Sequence, residues 1–251
     1  METIVGAYLG SVGRVCADVL GESLEAVWVV GSLATGDFEM RRSDIDVLVI
    51  SRRSLARDEK ASLAQLLCHR SLPCPAHGLD LLVYRASEVS DLRRAPCYEF
   101  SISSGVDWDD EVSLGGPYPG GLIDLAIAHD CGTPILGPRP SQMTSKCPVV
   151  WIVEELQKGI EWHKGRIHDP FHDPSGANAV LNACRALYFL SHNAFASKSA
   201  GARWLLSTRP SPVVAEALAR RRDGRTSGQL DERDVLAFLG LVGAELEKGA
   251  S

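Results

Sequence analysis

Acidic residues inside apolar strand patterns constrain this chain more than any other feature. The run 26–30, Ala-Val-Trp-Val-Val, is short, rich in β-branched residues and stopped by Gly31-Ser32, so it reads as a buried strand ending in a turn. A second run, 45–50, is apolar throughout except for Asp46. Side chains alternate along a strand, so Asp44 and Asp46 project to the same side. A third run, 78–83, again carries a single charge, Asp80. Burying a carboxylate without a cation or hydrogen bonds costs several kcal/mol. The chain must therefore fold around a sheet that brings these acids something to bind.

The rest of the pattern divides in two. Residues 3–20 carry apolar side chains at helical spacing and predict an opening helix. Residues 31–43 read as a loop or helical turn. A helix is expected over 54–67 with Ser54 as its N-cap. Short extended pieces follow at 98–102 and 134–138, with a helix over 122–131. From Pro148 onward no strand is evident, and helices are expected over 151–162, 178–191, 199–206, 212–222 and 232–246. The expectation is an α/β domain with a small, twisted, mixed sheet over 1–145 and an all-α helical bundle over 146–251.

Composition narrows the function. The chain has 251 residues, 45% hydrophobic and 23% charged, enough to bury a core without staples. Its formal net charge is −6, the reverse of the balance usual in nucleic-acid binders. Seven Cys, an odd number with no CxxC pair, read as reduced thiols, mostly small core residues. No apolar run approaches the roughly 20 residues of a membrane helix, and the first residues lack the basic start of a signal peptide. A cytoplasmic chain with no membrane partner is expected.

Carboxylates near a strand end suit a hard divalent cation such as Mg²⁺, which takes oxygen ligands. Ser32 and the backbone N–H groups around Gly31 suit phosphate oxygens, since glycine lets a phosphate approach the backbone. Gly31-Ser32 followed by Ser43-Asp44-Ile45-Asp46 resembles the core motif of the DNA polymerase β-like nucleotidyltransferase superfamily. That resemblance implies two metal ions held by Asp44, Asp46 and a third carboxylate, a place Asp80 fits. It also implies that Gly31, Ser32 and Ser43 bind the nucleotide, with ATP as co-substrate.

The second half is similar to the helical domain of the aminoglycoside 3″- and 9-O-adenylyltransferases, which inactivate streptomycin and spectinomycin. The likeness rests on Asn178 through Tyr188 with Arg185, and on Lys198 through Trp204. It implies that Arg185 and Lys198 reach ATP phosphates across an interdomain cleft, Arg as a bidentate fork and Lys as a mobile charge. It implies Asp80 as catalytic base, although the streptomycin enzymes carry Glu there. The loop 167–174 contains Asp169, Phe171 and Asp173 but no Trp; its two acids are candidate contacts to a cationic acceptor, and the missing ring favours compact spectinomycin over streptomycin. His168 and His172 lack the further ligands of a zinc site. A monomer that transfers AMP from ATP to an antibiotic hydroxyl is the expectation; a different acceptor, or a non-catalytic nucleotide-binding module, are the alternatives.

Overall fold

The computed structural model describes residues 2–118, 120–170, 172–223 and 228–249. The chain separates into two compact units, Met1–Cys147 and Pro148–Ser251.

The first unit is built on β1 (Leu24–Val29), β2 (Ile45–Ser51), β3 (Gly78–Arg85), β4 (Cys97–Gly105), β5 (Glu111–Ser113), β6 (Gly116–Pro117) and β7 (Thr133–Leu136). The sheet order is β5-β4-β3-β2-β1-β7, with β6 paired to β4. Among the described residues only β2 and β3 run parallel; the other pairs are antiparallel, so the sheet is mixed as expected. The crossover from β2 to β3 carries α3 (Arg57–Leu67), as a parallel connection requires.

Alternation sets the two faces. Ile45, Val47 and Val49 of β2, with Leu79, Leu81 and Val83 of β3, pack against α1 (Glu2–Leu20) and α3 in one core cluster. Val5, Tyr8, Val12, Cys16 and Leu20 form the buried stripe of α1. Contrary to the sequence expectation, the stretch Ile4–Ser23 is long and apolar enough to cross a membrane, with a mean hydropathy of 1.3. Here one stripe of it packs into the core. The opposite sheet face presents Asp46 and Asp80, then Leu48, Ile50, Leu82 and Tyr84, which are also buried. Trp28 is fully buried and donates its indole N–H to the carbonyl of Pro138 at 2.8 Å, pinning the chain that follows β7.

Ser54 does not cap α3. The helix starts at Arg57, and Glu59 reaches back to the backbone N–H of Ala56 at 2.7 Å. Arg53 holds that Glu59 carboxylate with two donors, at 2.9 and 2.8 Å. Three short helices complete the unit's smaller elements: α2 (Gly31–Ala34), α4 (Ala86–Ser90) and α6 (Pro140–Met143); α5 (Gly121–Cys131) precedes β7.

The second unit holds α7 (Val149–Lys164), α8 (Ala177–His192), α9 (Lys198–Thr208), α10 (Pro212–Asp223) and α11 (Glu232–Gly249). Helix α8 is its axis. Ala179, Val180, Ala183, Cys184 and Leu187 are buried, while Asn178, Asn182 and Arg185 form a half-buried polar stripe. Gly201 on α9 lies over the backbone of α8: a Cβ there would stand 3.1 Å from the backbone nitrogen of Arg185. Its absence lets the two helices approach closely.

Candidate active site

The turn after β1 is tied to β2 by the N–H of Val30, which donates to the carbonyl of Asp46 at 3.0 Å. Gly31 follows with φ +60°, a conformation that strains any other residue. A Cβ at Gly31 would overlap the Asp46 carboxylate, so the position needs glycine for space as well. On the same turn the hydroxyl of Ser32 is buried with no hydrogen-bond partner among the described residues. Such an orphan costs free energy unless a ligand oxygen or proton meets it. Ser43 is buried and accepts the N–H of Glu39 at 3.0 Å, closing the loop that delivers Asp44.

Asp46 and Asp80 are register partners on the parallel strands β2 and β3. The row continues across the sheet, Asp80 opposite Ser103 on β4 and Ser103 opposite Glu111 on β5. Paired residues share a face, so these four side chains form one polar line. Burial first, and then the negative charge of Asp44, pushes the Asp80 carboxyl up to about 6; Glu111 adds to this, while a hydrogen bond from Ser103 and the nearby His77 oppose it. The imidazole Nδ1 of His77 lies 3.0 Å from Asp44 Oδ1. The Trp108 ring lies tilted at 4.9 Å from the His77 ring and covers Gly78 and Gly105, where any Cβ would collide with the indole.

Sequence reasoning missed His77, Ser103 and Glu111. Nothing local marks them, since their role follows from strand register and from β5, which is only three residues long.

Among the described residues no three His, Cys, Asp or Glu side chains close around one point. Magnesium seldom uses an all-protein cage; it binds one or two carboxylates and completes its shell with waters and substrate phosphates. The donor set fits that pattern. Asp46 and Asp80 supply hard oxygens from two adjacent strands and Asp44 from the residue before β2, and the Asp80 carboxyl, raised first by burial and then by the charge of Asp44, is one that a cation would stabilise in its ionised form.

In the helical unit the expected residues have different tasks. Asp173, expected as a contact to a cationic acceptor, lies just before α8. It is only 3% exposed, and its two oxygens accept the N–H groups of Asn178 and Ala179 at 3.0 and 2.8 Å. It thereby satisfies the open first turn of α8, which begins after Gly176 and has no side-chain cap there. Asp169 is half-buried and accepts the N–H of His172 at 3.0 Å. Phe171 lies outside the described residues. A Trp does stand beside this loop: Trp162 of α7 meets the His172 ring edge-on at 5.6 Å, and the Arg166 guanidinium covers its face at 4.4 Å.

Arg185 donates from Nε to the carbonyl of Ala196 at 2.9 Å and from Nη1 to Asn182 Oδ1 at 3.2 Å. Lys198 opens α9, whose N-cap Ser197 accepts the N–H of Ala200 at 3.1 Å. Its charge acts on both His163 and Asp173, placing it beside the polar stripe of α8.

Residues 14–94 match the nucleotidyltransferase domain family, the class that the mixed sheet and its strand-borne carboxylates define. Residues 147–244 match the C-terminal domain of aminoglycoside adenylyltransferases. The chain belongs to the aminoglycoside adenylyltransferase family of nucleotidyltransferases. Its fold is similar to the crystal structure of spectinomycin adenyltransferase AAD(9) from Enterococcus faecialis with ATP and spectinomycin, with a TM-score of 0.75. The likeness covers 96% of this chain and 98% of that one, at 15% sequence identity.

Proposed function

We propose that this enzyme transfers AMP from ATP to a hydroxyl of an aminoglycoside or aminocyclitol antibiotic and so confers resistance to it. The observation that carries the reading is the register pairing of Asp46 with Asp80, next to a Gly31 turn whose serine hydroxyl is buried and unpartnered. The relative with the same fold is described with ATP and spectinomycin, so compact spectinomycin is the first acceptor to test.

Asp44, Asp46 and Asp80 would hold Mg²⁺, which supplies charge neutralisation of the triphosphate when bound. Gly31 and Ser32 hold terminal phosphate oxygens; Arg185 and Lys198 of the helical unit contribute the cations that a triphosphate needs. The acceptor hydroxyl forms a bond to the α-phosphorus as the bond between that phosphorus and the α,β-bridging oxygen breaks. Pyrophosphate leaves, an AMP ester remains, and the hydroxyl proton passes to Asp80. With a cation beside it Asp80 is held ionised, and its free oxygen is the acceptor for that proton. Most of the acceleration comes from positioning and charge stabilisation.

The test is pyrophosphate release with ATP, Mg²⁺ and a panel of aminoglycosides and aminocyclitols. Release that requires both ATP and spectinomycin supports the proposal. Binding of ATP with no release against any member of the panel would overturn the antibiotic acceptor.

A further inference from the structure

The helical unit carries a hydrogen-bond chain that the proposed chemistry does not yet use. Asn182 sits one turn after Asn178 and one turn before Arg185 on the half-buried stripe of α8. Its amide nitrogen is 3.2 Å from His163 Nε2 on α7 and donates to Asn178 Oδ1 at 3.2 Å. Its carbonyl oxygen accepts from Arg185 Nη1 at 3.2 Å. From its other side the guanidinium is held through Nε by the Ala196 carbonyl, in the loop before α9. Two acceptors, one on α8 and one in the loop before α9, fix the plane of the guanidinium.

We propose that Asn182 is a positioning residue: held by His163 and Asn178, it presents its carbonyl to Arg185 and sets the guanidinium in the orientation that binds the nucleotide triphosphate. This deepens the functional reading above and rests on the assignment of Arg185 to phosphate. The chain has only one consistent direction. Both amide protons of Asn182 have acceptors, Nε2 of His163 and the Asn178 oxygen, so the carbonyl is turned toward Arg185. The flipped amide would set its NH₂ against the Arg185 N–H and its oxygen against two acceptors. This requires His163 to be neutral with a lone pair on Nε2. Burial, and then the charges of Lys198 and Arg166, lower that imidazole to about 4, so it is neutral at neutral pH, and the amide of Asn182, turned by Arg185, selects the tautomer with the lone pair on Nε2. An arginine fork recognises phosphate through a fixed plane, and a guanidinium already oriented loses less freedom when it binds.

The experiment measures MgATP affinity by calorimetry, with KM for ATP, KM for the acceptor and kcat, in Asn182→Leu, Arg185→Ala and the double variant. Leu matches Asn in size but holds no hydrogen bond. The expected result is a loss of MgATP affinity of about tenfold in Asn182→Leu, as for one charged hydrogen bond. KM for ATP rises with it, and KM for the acceptor is unchanged. Arg185→Ala loses at least as much, and the double variant loses no more than Arg185→Ala alone, because Asn182 acts only through Arg185. Should Asn182→Leu fail to fold, Asn182→Ala takes its place with the same expectations. Unchanged MgATP affinity in the Asn182 variant beside a weakened Arg185→Ala overturns the positioning role and leaves the phosphate role of Arg185 standing. Additive losses in the double variant overturn it equally. Unchanged affinity in Arg185→Ala overturns the underlying assignment, and the positioning role with it.

Discussion

Gly31 rests against the carboxylate of Asp46 with no space for a Cβ between them, and its φ is +60°. Gly31→Ala therefore meets two separate penalties, a backbone strain of about 1–2 kcal/mol and a displaced Asp46. Gly36 has a similar φ, +72°, but nothing within 4 Å of its would-be Cβ. Gly36→Ala is expected to lower the melting temperature while keeping transfer rates near wild type. Gly31→Ala is expected to lower both, with most of the damage in kcat. Equal activity in the two variants would show that the Asp46 carboxylate can move without consequence.

Asp46→Asn tests the charge itself. Asn is nearly isosteric, and the site lies at the polar end of β2, so the melting temperature should stay close to wild type. Transfer should fall about a hundredfold or more, the usual size for removing one electrostatic stabiliser of a transition state. Chelation by EDTA should abolish wild-type turnover, and Mg²⁺ should restore it. Near wild-type turnover of Asp46→Asn at saturating Mg²⁺ would remove Asp46 from the metal site.

The pH dependence of stability is set in part by His163. Its folded value, about 4, lies below the ordinary 6.5 because burial, Lys198 and Arg166 disfavour the imidazolium. The unfolded chain therefore binds a proton that the folded chain refuses. Stability from this group is fully present above about pH 6.5 and is lost as pH falls from there toward 4. Urea unfolding at a series of pH values should show this slope, and His163→Phe should flatten it, since Phe cannot take up a proton on unfolding. An unchanged slope in His163→Phe would mean that the imidazole titrates alike in both states.

The strands carrying the acids were legible because period-two alternation and isolated charges are local signals: β2 and β3 lie where 45–50 and 78–83 predict them. The helices of the second unit were legible for the same reason, each carrying a 3.6-residue apolar stripe. The row from Asp46 through Asp80 and Ser103 to Glu111 was not, because register between strands is a tertiary fact and β4 and β5 lie in a Gly- and Ser-rich stretch with weak periodicity. The start of α3 was misread for a related reason. Ser54 has the chemistry of a cap, but the Arg53–Glu59 pair and the reach of Glu59 to Ala56 move the start of the helix to Arg57. Asn182 was half visible. Its spacing to Asn178 and Arg185 is readable, but its contact with His163 comes from the packing of α7 on α8.

Asp173 and Asp169 were expected to share one task, and the structure separates them. Asp173 is buried, and its oxygens accept two N–H groups of the first turn of α8. Removing a cap costs about 0.5–2 kcal/mol, and leaving buried donors unmet adds about 1–3 kcal/mol. For a unit of this size each kcal/mol lowers the melting temperature by about 4–8 °C. Asp173→Ala should therefore lose ten degrees or so, with the KM for the acceptor unchanged in the folded protein, and Asp173→Asn, which keeps one acceptor oxygen, should lose less. Asp169 is half-buried and accepts one N–H within its own loop. Asp169→Asn should leave the melting temperature nearly unchanged and raise KM for a cationic acceptor by a few-fold, the scale of one exposed charge pair. Thermal melts and acceptor KM on the three variants decide it: a raised acceptor KM with an unchanged melting temperature in Asp173→Asn would return Asp173 to the acceptor site and leave the first turn of α8 capped by something else.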